Sequence, residues 1–167
     1  MKNEITIGIA IAVATAVWII FESYLANVLN RPDLGIYTGI LAAAIPVIGL
    51  YYLISQMKKQ LNRLPTFKEA FKSSLIVSLI SGILLAVFIF IYLSQFPSSI
   101  ENYLRYAEQS MLDAGQSAEE IQASIERLRE SYKPNLQALY FLISTTITGT
   151  ILGLLILWVM KKKQGTV

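Results

Sequence analysis

Four long apolar runs divide the chain, and the polar segments between them differ sharply in charge. The runs cover about Ile5 to Val28, Gly35 to Ile54, Ser74 to Leu93 and Leu136 to Met160. A hydrocarbon core about 30 Å thick takes roughly 20 apolar residues of helix, so each run meets or approaches the length needed to cross a bilayer. Glu22 is the one charge inside the first run, and the other three carry none. Pro46 and the glycines within the runs are compatible with spanning helices, because neighbouring groups satisfy the backbone there. The pattern predicts an all-α fold, a four-span transmembrane helical bundle forming a single membrane domain over residues 1–167. Met1-Lys2-Asn3 before an apolar run also has the look of a secretory signal, with Ala12, Ala14 and Ala16 imitating a cleavage site. The run is far longer than a signal core of roughly 7–15 residues, so an uncleaved span is the expectation.

The segments between the runs set the orientation. Residues 55–73 carry Lys58, Lys59, Arg63, Lys68 and Lys72 against Glu69 alone, and the C-terminus carries Lys161, Lys162 and Lys163. Residues 96–134 hold seven acids against four bases, a net of −3. Lysine and arginine near span ends favour the cytoplasmic side. The 55–73 linker and both termini are therefore expected in the cytoplasm, in a multi-pass protein of the inner membrane. The 96–134 segment and the short link at Arg31-Pro32-Asp33 then lie outside.

Both long connections carry helix-start signals. Thr66 with Glu69, Ser98 with Glu101 and Ser117 with Glu120 each match the capping box, in which N-cap and N3 satisfy each other's backbone donors. The first box predicts a helix from Phe67 running into the third span. The other two open helices with apolar stripes Ile100, Tyr103, Leu104, Ala107, Met111 and Ile121, Ile125, Leu128, Tyr132, at amphipathic helical spacing. Gly115 separates them and Pro134 closes the second. Glu101 and Arg105 are spaced for an exposed i,i+4 pair. The outer segment thus reads as an extracytoplasmic amphipathic helical hairpin between spans 3 and 4. It is either a cap on the bundle or a surface for a partner.

Within the membrane, helices associate through close contact between small residues. Every span has such a stripe: Gly8, Ala12, Ala16; Gly35, Gly39, Ala43; Ser74, Ser78, Gly82; and Thr145, Gly149, Gly153. Aromatic residues flank the spans as interface belts do, with Tyr51, Tyr52 and Trp158 toward the inside and Tyr24, Tyr37, Tyr92 and Tyr140 toward the outside. The polar exception is Glu22, the candidate functional residue, since ionisable groups inside spans are costly and often functional. It sits either near the outer surface, reaching water or pairing with Arg31 or a hairpin base, or deeper within the bundle. Ser74, Ser78 and Ser81 share a face, and Ser144, Thr145 and Thr148 form a second polar patch. Such hydroxyls either line a polar path or bond a carbonyl one turn back or a neighbouring helix.

Composition removes most chemistry. The chain has 54% hydrophobic and 15% charged residues, a net charge of +3, and neither cysteine nor histidine. That excludes thiolate and imidazole ligands, disulfides and a Ser–His dyad. Asp33 and Asp113 are the only aspartates, and they lie outside the spans. Lys72 beside Ser73 and Ser74 is no dyad, because adjacent helical residues face apart. No phosphate-binding glycine loop is present. The expectation is no enzyme, no catalytic residue, no metal and no cofactor. The lysine cluster is explained by topology, so no nucleic-acid partner is expected.

Taken together, the chain resembles a family of small bacterial membrane proteins of unknown function, domain of unknown function 4199. The resemblance is carried by the Met1-Lys2-Asn3 start before a glycine-containing span and by Thr66-Phe67-Lys68-Glu69-Ala70 leading into the third span. Ala114-Gly115-Gln116-Ser117-Ala118-Glu119-Glu120-Ile121 and a last span closing on lysines complete it. It implies an integral inner-membrane protein and assigns no activity. The expected function is a non-enzymatic protein that binds or stabilises a membrane or envelope partner, or forms a homo-oligomer, within the lipid bilayer. The alternative is a small transporter or channel component using Glu22 and the hydroxyls of spans 3 and 4.

Overall fold

The computed structural model describes residues 2–29, 31 and 33–164, and their side chains apart from those at 35–37, 99 and 164. Met1, Pro32 and the side-chain surroundings of Gly35 and Tyr37, which figured in the sequence patterns, lie outside the described parts. The described chain is all α. Its helices are α1 (Lys2–Val28), α2 (Leu34–Leu61), α3 (Phe67–Gln95), α4 (Pro97–Asp113), α5 (Ala118–Ser131) and α6 (Pro134–Gln164). Four of them, α1, α2, α3 and α6, are long and apolar enough to cross a membrane.

Local chemistry sets the helix ends. Thr66 begins α3: its hydroxyl accepts from the Glu69 amide, and the Glu69 carboxylate accepts from the Thr66 amide. Ser117 and Glu120 do the same for α5. Helix α2 runs past the apolar segment to Leu61, with Lys58 and Lys59 in its last turn, where cations suit the helix dipole. It stops at Asn62, whose φ of 53° is left-handed and tolerable for asparagine.

One expected cap is wrong. Helix α4 begins at Pro97 with Phe96 as N-cap and no side-chain cap, so Ser98 lies inside the helix. Proline is preorganised for the first helical position, and it moves the start one residue ahead of Ser98. Glu101, freed from a capping role, reaches across to Arg129 at 2.6 and 3.3 Å instead of pairing with Arg105. Pro134 likewise opens α6 rather than ending α5, which stops at Ser131.

The four long helices pack in a ring in the order α1, α3, α6, α2, with α3 against α6 the most extensive contact. The interior is unevenly filled. Ile7, Ile11, Leu50, Leu53 and Val77 form one core cluster, and Ile54, Ala70 and Leu157 a second. All lie in the half of the bundle that carries the 62–66 linker. Toward the hairpin end, α1 has no buried residue after Ala12 and α6 none before Gly149. Among its described side chains, α2 has none buried between Leu34 and Gly49. Only α3 keeps buried positions there, Ser81, Gly82, Leu85 and Ile89. Helices α4 and α5 pack on each other, with α4 touching the end of α3. Gly115 makes their turn with φ of 75°, a conformation that glycine adopts without strain.

Candidate functional site

The loosely packed half contains the one glutamate that sequence analysis singles out. Positions 7, 11, 18 and 22 fall on one side of a 3.6-residue helix. Ile7 and Ile11 use that side to meet α2: a Cβ on Gly49 would lie 2.5 Å from Ile11 Cγ1. Trp18 and Glu22 continue the same side toward the hairpin end. Counted along α1 from the Ile11–Gly49 contact, Trp18 lies seven residues on and Glu22 eleven. That puts Glu22 about 16 Å from the contact, at about 1.5 Å per residue.

Among the described residues no hydrogen bond or ion pair is seen for Glu22. Its Oε1 is buried and without a hydrogen bond, and so is the Trp18 indole Nε1 one turn earlier. Polar groups toward the same end of α1, α2 and α3 are engaged elsewhere. Thr38 donates its hydroxyl to the Leu34 carbonyl in its own helix at 3.1 Å. Ser23 accepts from the Tyr92 hydroxyl at 2.7 Å, which ties α1 to α3. The pairing of Glu22 with Arg31 that the sequence allows does not form. Arg31 donates through Nε and Nη2 to both carboxylate oxygens of Asp33, at 2.8 and 2.7 Å. That bidentate geometry is strong for two residues so close in sequence, and it holds the Asp33 carboxyl below the usual carboxylate range. Pro46 lies inside α2 and has no N–H to give the Ala42 carbonyl. A carboxyl group accepts, or donates when protonated, and an indole N–H only donates. Trp18 and Glu22 together therefore suit a group that both gives and takes a hydrogen bond, such as a side-chain amide or hydroxyl.

The serines and threonines form no second site with Glu22. Ser74 and Ser78 are buried with unpaired hydroxyls, but they are packed into α6, where a Cβ on Gly153 or Gly149 would collide with their oxygens. Ser81 donates to the carbonyls of Gly8 and Val77, each at 2.9 Å. Thr146 and Thr150 bond carbonyls one turn back in α6, each at 2.7 Å. Ser144 and Thr145 are half-buried, and Thr148 is exposed. The α3 hydroxyls thus belong to a filled helix interface. Among the described residues no group of acidic side chains has a metal-holding arrangement.

Sequence reasoning missed two residues. Trp18 stands four positions before Glu22, and that spacing was the available signal. Glu4 lies in the first turn of α1, just outside the apolar run, and accepts from Ser73 of α3 at 3.1 Å. Nothing local in Lys2-Asn3-Glu4 announces this contact, because its partner is on another helix.

A family model described as "Protein of unknown function (DUF4199)" matches residues 6–162. No curated protein and no solved structure matches the chain.

Proposed function

The chain belongs to this family of unknown function, and on that premise we propose that it is a non-enzymatic inner-membrane protein that binds a membrane partner through the Trp18–Glu22 face of α1. The lysine-rich linker and C-terminus sit in the cytoplasm in this reading, and α4 and α5 lie outside. The observation that carries it is the pair of buried, unpaired polar atoms on successive turns of α1. A buried polar group without a partner costs about 1–3 kcal/mol, and lipid offers nothing to relieve it. A second helix that enters the thinly packed half, displaces the groups now covering these two atoms and brings an amide or hydroxyl side chain to them removes the cost. Interhelical hydrogen bonds of this kind contribute about 0.6–2 kcal/mol each. The thinly packed hairpin half of the bundle supplies the place for such a helix, from a second copy or a different protein.

A transport role has less support. It would draw on the same glutamate, but the α3 hydroxyls meant to continue its path are packed against glycines. The test compares Glu22→Gln, which keeps a hydrogen-bonding side chain, with Glu22→Leu, which does not. The partner co-purified from native membranes is expected to persist with Glu22→Gln and to be lost with Glu22→Leu. An unchanged set of co-purifying proteins with Glu22→Leu would refute the proposal.

A further inference from the structure

Helices α4 and α5 enclose a groove of about 600 Å³ on one side of their contact. Its floor is Leu112, Ala118, Ile121 and Ile125, and Glu108 and Glu126 stand along its rim. A two-helix hairpin covers one side of each apolar stripe and leaves the other open. Here Ile121 is buried, while Leu112 remains 52% exposed. The groove has defined ends: the Glu101–Arg129 pair at one and the Gly115 turn at the other. From Ala118 to Arg129 the floor is about 16 Å long, three turns of helix at about 1.5 Å per residue.

Charge decides what fits. Arg129 also reaches the groove, but Glu101 occupies it through two hydrogen bonds. No hydrogen bond or ion pair is seen for Glu108 or Glu126 among the described residues. The rim is therefore acidic over an apolar floor, in a segment of net charge −3. We propose that the α4–α5 groove seats a short amphipathic helix of a partner protein, with apolar side chains at i, i+3 or i+4 and i+7 and lysine or arginine on both flanks. Such a helix completes a three-helix arrangement, its apolar face in the groove and its bases beside Glu108 and Glu126. This site is separate from the Trp18–Glu22 face, and it stands or falls independently of the membrane partner.

The test uses the full chain in nanodiscs of zwitterionic phosphatidylcholine, so that a cationic peptide gains nothing from the lipid. The protein has no cysteine, and Gln122→Cys in the groove gives a single site for an environment-sensitive fluorophore. The probe is a synthetic 14-residue helix with leucines at the stated spacing and lysines on both flanks. A second peptide replaces every lysine with glutamate. The lysine peptide is expected to bind with a saturable change in fluorescence, and the glutamate peptide is not. Glu108 and Glu126 are exposed, so Glu108→Lys with Glu126→Lys leaves folding intact, checked by circular dichroism. The double reversal is expected to weaken binding about ten-fold, the effect of losing two exposed ion pairs. Equal binding of the two peptides, or undiminished binding to the double variant, would overturn the proposal. So would a fluorescence change on adding anionic lipid without peptide, which would make the groove a membrane-contact surface.

Discussion

Gly149 of α6 faces Ser78 of α3 so closely that a Cβ on the glycine would collide with the serine hydroxyl. Gly153 and Ser74 repeat the relationship one turn along. These two contacts let α3 and α6 approach as the most extensively packed pair in the bundle. Gly149→Ala and Gly153→Ala are each expected to destabilise the protein by about 1–3 kcal/mol, the usual cost of overpacking. Ser78→Gly combined with Gly149→Ala should recover most of the loss, because the clash is specific to that pair. Gly39→Ala is the contrast: its Cβ would meet nothing within 4 Å, so it should be neutral or stabilising. Unfolding of the purified protein followed by circular dichroism reads all four.

The helix starts give a second prediction. Thr66→Ala and Ser117→Ala each remove a working N-cap and should cost about 1 kcal/mol. Ser98→Ala should cost almost nothing, since Ser98 lies inside α4 behind Pro97. Amide exchange in the first turns of α3, α4 and α5 distinguishes the three, with faster exchange at residues 67–70 and 118–121 only.

These cases show how far the chain's own pattern reaches. The apolar runs mark the four long helices because run length alone decides whether a segment can span a bilayer. The capping boxes at Thr66 and Ser117 are legible because both partners lie within one turn. Ser98 misleads because it has the same spacing, yet the adjoining proline fixes the backbone first. The small-residue stripes announce close contact but not the partner. Gly149 meets Ser78, Gly39 meets nothing, and Gly49, which is in no stripe, meets Ile11. Glu22 is visible as an anomaly at once, whereas the missing hydrogen bonds around it depend on where α2 and α3 place their side chains. Arg31, the base nearest to Glu22 along the chain, is held by Asp33 in a bidentate pair, which local spacing alone does not reveal.

Tyr132 provides a pH prediction. Its ring packs against Tyr103 with centroids 5.4 Å apart. Burial, with a smaller effect from Tyr103, pushes the phenol up to about 12, from an ordinary value of about 10. The folded hairpin favours the neutral phenol. Its contribution to stability is therefore complete below pH about 10 and is lost as the pH rises through about 12. Phenolate absorbance should show a late step that Tyr132→Phe removes, and α4–α5 helicity should fall over the same range. A single tyrosine transition near the ordinary value would contradict this.

Orientation is tested separately. Reporter fusions at Asn62 and after Lys163 are expected to report the cytoplasm, and one at Gly115 the outside. The reverse pattern would show that the charge asymmetry between residues 55–73 and 96–134 does not set the topology.

The Trp18–Glu22 face is the central claim, and Phe21 gives direct access to it. Phe21 is 48% exposed, and its ring lies 6.0 Å from that of Trp18. A photoreactive phenylalanine analogue at position 21 is a conservative replacement beside the face without altering Glu22. The same analogue at Phe90, 49% exposed on α3, serves as the control. After illumination in native membranes, position 21 should yield a protein adduct of discrete mass that disappears with Glu22→Leu, while position 90 yields none. Lipid adducts alone from position 21, or a protein adduct indifferent to Glu22, would contradict the account.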